Sequence, residues 1–134
     1  MNSSDSHLSD LQLAIMRVLW SEGEATVAMV HDALRGERER ALTTIATMLT
    51  KMERKGVVTH HTEGRRYIYR PLVSRSDVRQ SMLGELTERL FDGSVTGLVA
   101  HLLSQHEIDD RELAELRRLI DRAERTDESE EKRR

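Results

Sequence analysis

At 134 residues, with 34% charged, 37% hydrophobic and 3% aromatic side chains, the chain is long enough to bury roughly 70% of its unfolded surface around a core of Leu, Val, Ile, Met and Ala, a composition that favours helices. It has no cysteine, which excludes disulfides, thiol catalysis and thiolate metal sites together. The net charge of −3 conceals an uneven distribution: residues 1–72 carry ten Lys/Arg against nine Asp/Glu, residues 73–134 eleven against fifteen, and residues 40–70 seven (Arg40, Lys51, Arg54, Lys55, Arg65, Arg66, Arg70) against two (Glu53, Glu63).

The N-terminal MNSSDSHLSD has neither a basic start nor an apolar stretch, and no run approaches the roughly 18 apolar residues of a membrane span, so a soluble, cytoplasmic protein without membrane insertion is expected. Ser9 and Gln12 stand in capping-box spacing, with Leu8 and Leu13 placed as a hydrophobic staple. Leu11, Ile15, Val18 and Leu19 then recur at helical spacing up to Gly23, which defines helix one. Trp20 closes it as a core anchor. Thr26 is the N-cap of helix two, whose face is Val27, Val30 and Leu34 and whose stop is Gly36; the polar Glu37 to Arg40 is a short connection.

Helix three spans about residues 43–55. At 100° per residue, Met48, Leu49 and Met52 fall within about 60° of Ile45 and form the buried stripe. Thr43, Thr47, Thr50 and Arg54 lie opposite, with Lys51 beside them. β-Branched residues on a solvent face cost helix propensity, so something besides local stability selects them. After Gly56, VVTHHT and YIYRPL read as two strands around the basic turn EGRR, ended by Pro71. Three helices followed by such a hairpin is the winged helix-turn-helix order, with helix three as recognition element and the hairpin as wing.

The remainder reads as helical. Ser74 or Ser76 caps a helix bearing Val78, Met82, Leu86 and Leu90, which the turn Asp92–Ser94 interrupts. Ser94 caps a second with Val95, Leu98, Val99, Leu102 and Leu103 on one face. Asp109 with Glu112 opens a third carrying Leu113, Leu116, Leu119, Ile120 and Ala123. Three short amphipathic helices without a complete core of their own point to packing against a second copy through a twofold axis. The tail TDESEEKRR is charged and expected to be disordered.

A threonine-and-arginine face is ordinarily just a solvated face. As the third helix before a basic wing it fits a major groove, where hydroxyls reach phosphates or base edges and the methyl meets thymine, while Arg65 and Arg66 sit over the backbone or minor groove. Arg54 and Lys51, toward the helix's C-terminal end, position rather than specify. His60 and His61 point to opposite faces of a strand, and His101 and His106 lie about 140° apart on a helix, so neither pair chelates a metal. No phosphate loop, nucleophile elbow or paired-carboxylate setting is present; no catalytic residue, metal or cofactor is expected.

The stretches LQLAIMRVLW, TVAMVHDAL, LTTIATMLTKMERKGVV, EGRRYIYRPLVSR and LVAHLL…ELAELRRLID give the chain a resemblance, from about residue 8 to 123, to the BlaI/MecI penicillinase-repressor family. The resemblance implies a homodimeric bacterial repressor on a double-stranded dyad operator, released when a membrane sensor protease triggers its cleavage. It puts the recognition positions on Thr43, Thr44 and Thr47, backbone contacts on Lys51 and Arg54, and the wing on Arg65 and Arg66. The family's cleavage point falls at His101–Leu102, where the penicillinase repressors have Asn-Phe; this chain departs from the pattern there. Copper-responsive relatives carry a C-terminal cysteine cluster, and this chain has no cysteine.

The expected architecture is thus mostly α: a winged helix-turn-helix domain over residues 1–72, a three-helix dimerisation domain over 73–125 and a charged disordered tail over 126–134. The expected function is sequence-specific repression at a palindromic operator. Two rivals stand beside it. A ligand-sensing winged helix predicts an apolar cavity between the two parts, and a protein-interaction module predicts no DNA binding at all.

Overall fold

The Ser9 hydroxyl accepts from the Gln12 amide at 3.2 Å, and the Gln12 side-chain oxygen accepts from the Ser9 amide at 3.1 Å, so the predicted capping box opens α1 (Asp10–Glu22). Gly23, at φ 85°, returns its N–H to the Leu19 carbonyl and ends the helix. The structure, a computed structural model, describes residues 8–36 and 39–133. Glu37 and Arg38, the first half of the expected short connection, therefore lie outside the described residues.

The order continues with β1 (Ala25–Thr26), α2 (Val27–Ala33), α3 (Leu42–Arg54), β2 (Val58–Glu63), β3 (Arg66–Pro71), α4 (Arg75–Phe91), α5 (Val95–Gln105) and α6 (Asp110–Arg133). β1 adds to the hairpin expected from the sequence. It pairs antiparallel with β3, Ala25 opposite Tyr69 and Thr26 opposite Ile68, giving a three-stranded sheet of order β1-β3-β2. Two residues are too few to show alternation, and Thr26 also caps α2 by accepting from the Met29 amide at 3.2 Å. The hairpin runs in register from Val58 opposite Pro71 to Glu63 opposite Arg66. Pro71 closes β3, where its missing N–H ends the ladder.

Ile15, Met16 and Leu19 of α1, Val30 of α2, Ile45, Leu49 and Met52 of α3, and Val57 and Val58 at the start of β2 are all buried together. Each such side chain contributes about 1.5–3 kcal/mol gross of apolar transfer. Leu8 is buried and Leu13 packs against the same cluster, as the staple requires.

Helix α4 is attached to this body. Trp20 donates its indole N–H to the Val73 carbonyl at 2.8 Å, and the Arg75 guanidinium lies 5.5 Å over the indole ring. Ser74 rather than Ser76 is the cap, in a reciprocal box with Asp77. Val78 is buried and Met82 packs on the core. The first compact unit accordingly extends to Gly93, past the expected division at residue 72, because the apolar side of α4's first turns is used by α1. The second unit holds α5, capped by Ser94, and α6, whose Glu112 amide donates to Asp109 at 2.8 Å. Neither helix contains a buried residue.

Residues 126–133, expected to be a disordered tail, continue α6 instead. The stretch contains neither Gly nor Pro, Glu128 stands four residues before Lys132, and Lys132 and Arg133 end the helix with the charge its C-terminal dipole favours. Among the described residues no helix is long and apolar enough to cross a membrane.

Candidate nucleic-acid interface

The seat of α3 is double. Its buried stripe of Ile45, Leu49 and Met52, with Met48 half-buried beside it, faces the core. A polar clamp ties it to α1 at two points: the buried Gln12 amide donates to the Met48 sulfur at 3.4 Å, and the Lys55 ammonium donates to the Gln12 oxygen at 3.3 Å. Gln12 thus serves as both helix cap and interhelical tie. Its cap spacing is legible in the sequence; its reach to α3 is not.

The outward face of α3 presents Thr43, Thr47, Thr50, Lys51 and Arg54, all exposed, with Thr44 half-buried at its margin. Among the described residues Lys51 and Arg54 stand in no ion pair. Thr43 and Thr47 lie one helical turn apart. Thr50 differs from them, because its hydroxyl donates to the Ala46 carbonyl at 3.0 Å. Leu42, 49% exposed, opens the same helix, and no periodicity in the sequence marks it out.

The wing turns more tightly than EGRR suggests. Glu63 and Arg66 are still paired strand residues, so the turn consists of Gly64 and Arg65 alone. Gly64 has φ 63° and Arg65 no positive φ, the pattern of a type II′ hairpin turn whose first central position favours glycine. Arg65 is at the tip and Arg66 one residue into β3, both exposed, with Arg70 farther along the strand and also exposed. His61, on the opposite face from His60, lies 3.7 Å from the Glu63 carboxylate.

Between wing and helix sits a group that sequence pattern alone does not reveal. His60, Tyr67 and Tyr69 share one face of the hairpin; the His60 and Tyr67 rings stack at 4.2 Å and 16°, and the His60 and Tyr69 centroids are 5.3 Å apart. The Nδ1 of His60 meets Glu53 Oε1 on α3. Burial pushes the Tyr69 phenol above its ordinary range, opposed by the Thr50 side chain and reinforced by Glu53 and Tyr67. The signal that would find this group is the turn: once it is fixed at Gly64–Arg65, His60 falls opposite Tyr69.

In the second unit the expected interface residues are on the surface. Val95 is 67% exposed, Val99, Leu102, Leu103, Leu119 and Ile120 are exposed, and Leu98, Leu113 and Leu116 are half-buried. His101 and Leu102 are exposed in the middle of α5. Helix α4 of the first unit contributes apolar surface of its own, Leu83, Leu86 and Leu90. It borders a groove of about 760 Å³ against α1, lined by Leu13, Trp20, Met82 and Leu86 with Arg17 and Arg79 at its edge. Among the described residues no three His, Asp or Glu side chains are grouped to hold a metal ion.

The sequence model of the family described as Penicillinase repressor matches residues 8–122. The Penicillinase repressor of Bacillus licheniformis is 27% identical over 114 residues, covering 85% of this chain and 89% of that protein. The Transcriptional regulator BlaI of Mycobacterium tuberculosis is 33% identical over 118 residues, covering 83% and 86%. The solution structure of the DNA-binding domain of the repressor BlaI is 33% identical, covering 54% of this chain and 88% of that one with a TM-score of 0.49.

Proposed function

The chain belongs to the penicillinase-repressor family of BlaI/MecI regulators, and from that premise we propose that it is a sequence-specific DNA-binding transcriptional repressor that acts as a homodimer on a palindromic operator. The observation that carries this reading is the outward face of α3, with exposed threonines and two cations that stand in no ion pair among the described residues, beside a hairpin that carries Arg65 at its tip and Arg66 next to it. A helix with such a face enters a major groove. Thr43, Thr44 and Thr47 face base edges or the thymine methyl, while Lys51, Arg54, Arg65 and Arg66 meet phosphates. Thr50, its hydroxyl engaged by the Ala46 carbonyl, adds chiefly shape.

The dimer rests on the exposed apolar faces of α5 and α6, together with Leu83, Leu86 and Leu90 of α4. Two half-sites joined through those faces bind with high effective concentration, so loosening the C-terminal helices lowers operator affinity without touching the DNA face. Cleavage at His101–Leu102 acts in this way. The bond lies inside α5, so the helix unwinds locally before a protease reaches it.

Selection from random duplexes is the test. The expected product is a dyad consensus with half-sites about 10 bp apart, or a multiple of that spacing. For roughly 6–8 neutralised phosphates, log K should fall against log salt with a slope of about −5 to −7. A flat salt response with no consensus rules the reading out. The groove between α1 and α4 favours a second reading, a regulator that takes an apolar ligand, although that groove lies within the first unit and not between the two parts. That reading requires ligand-shifted melting with the dimer intact.

A further inference from the structure

The strand face opposite His61 carries more interaction than a wing needs merely to fold. His60 is stacked on Tyr67, meets Glu53 on α3 and lies beside Tyr69. The α3 partner is next to a DNA-facing residue in sequence: Glu53 directly precedes Arg54. Tyr67 directly follows Arg66 and is 49% exposed, so its ring is held by the His60 stack and not by burial. One contiguous set of side chains therefore connects the cationic end of α3 to the cationic tip of the wing.

A hairpin with a two-residue turn is a weak structure by itself and twists readily about its base. The core holds only the base of this one, through Val58, Ile68 and Tyr69, while Thr62, Glu63, Gly64 and Arg65 are exposed. The distal half of the wing takes its orientation relative to α3 from the ring stack and from the pairing of His60 with Glu53.

We infer that Glu53, His60 and Tyr67 are positioning residues for DNA binding: they fix the wing at the angle from α3 that lets Arg65 and Arg66 reach phosphates of the duplex whose groove α3 occupies. This rests on the reading of the chain as a DNA-binding repressor and adds to it three residues that touch no DNA. Without the strut, recognition by Thr43 and Thr47 persists while the wing swings free of its phosphates, because an unoriented arm must be ordered on binding at a cost in entropy.

The measurement is the salt dependence of affinity of the full chain for a mixed-sequence duplex, with Trp20 fluorescence melts to follow folding. Wild type is compared with Glu53→Ala, Glu53→Gln, Tyr67→Ala and Arg65→Ala/Arg66→Ala. Removing one phosphate partner lowers the slope by about 0.9, so the arginine double variant should show a slope shallower by about 3 to 4 in a dimer. Glu53→Ala and Tyr67→Ala should shallow it by a comparable amount and add little on top of the arginine changes, whereas Glu53→Gln, which keeps an acceptor for His60, should stay near wild type. Tyr67→Ala removes a half-exposed ring and so tests the strut even if Glu53→Ala unfolds. If Tyr67→Ala lowers affinity with the slope unchanged, or if its effect adds fully to that of the arginines, the strut is overturned while the repressor reading stands. If wild type and the arginine variant bind alike with flat salt response, the repressor reading itself falls and the inference with it.

Discussion

In the unit that ends at Gly93, α1, α2, α3 and the sheet bury Ile15, Met16, Leu19, Val30, Ile45, Leu49 and Met52 against one another. In the unit that begins at Ser94, α5 and α6 bury no residue, although α5 offers Val95, Leu98, Val99, Leu102 and Leu103 along eleven residues. Apolar content is therefore not what separates them. The first unit buries the apolar side chains of α1, α2, α3 and the sheet among themselves, and the second buries none of its own. A helix pair in that position is marginal alone, because most helical stability comes from packing an apolar face and neither α5 nor α6 buries one. The proposed division of labour follows: one unit presents a face, and the other supplies a fold that exists only when shared.

The largest effect should come from putting a charge on the shared surface. Leu98→Glu or Leu102→Glu is expected to yield monomers by light scattering and to weaken operator binding by about 10²–10⁴, the advantage that linking two sites confers. The Trp20 transition should stay where it is, since the chain's single tryptophan lies in the first unit. A dimer that survives either change takes these leucines out of the interface.

The converse change strikes the first unit. Ile45→Ala removes a fully buried side chain from the helix that carries the proposed DNA face and should cost about 2–5 kcal/mol in the Trp20-monitored urea transition. For the two-unit picture to hold, the destabilisation must be independent of protein concentration, unlike the far-UV signal of α5 and α6. A Trp20 transition that shifts with concentration in wild type would merge the two units into one.

How much of this is legible in the sequence depends on the range of the interaction. The caps at Ser9, Thr26 and Ser94, the buried stripe of α3 and the hairpin all follow from patterns within a few residues, and the structure has them. What stays hidden is longer-ranged. β1 is two residues that become a strand through pairing with β3, more than forty positions on; Gln12 reaches Met48 and Lys55; α4 joins the first unit through Trp20 and Val73. The tail of α6 is hidden for the opposite reason, since its density of charge masks a local helix propensity that nothing interrupts. At the candidate site the outward residues are legible from angle alone, whereas the Glu53–His60–Tyr67 group requires the hairpin register.

Within the first unit a smaller effect separates recognition from positioning. Thr47→Ala should reduce discrimination between operator and mixed sequence by about 1 kcal/mol with the salt slope intact. Arg65→Ala should weaken both duplexes alike and shallow the slope by about 2 for a dimer. Should the two patterns be exchanged, the wing reads sequence and α3 merely holds the backbone.

The smallest effect is a property of the first unit's fold alone. Both tyrosines lie in it, and burial raises the Tyr69 phenol above its ordinary 10.0. The unfolded chain gives up this proton near pH 10, whereas the folded chain holds it. Stability contributed by the neutral phenol is therefore complete below about pH 10 and declines as pH rises through the folded value, because the unfolded state then releases a proton that the folded state keeps. Tyr69→Phe retains the buried ring without the titrating group. Its urea midpoint, scaled to the value at neutral pH to remove the effect of deleting the hydroxyl itself, should decline less than wild type between about pH 9 and 11. An identical decline would assign alkaline unfolding to other groups and leave Tyr69 as packing only.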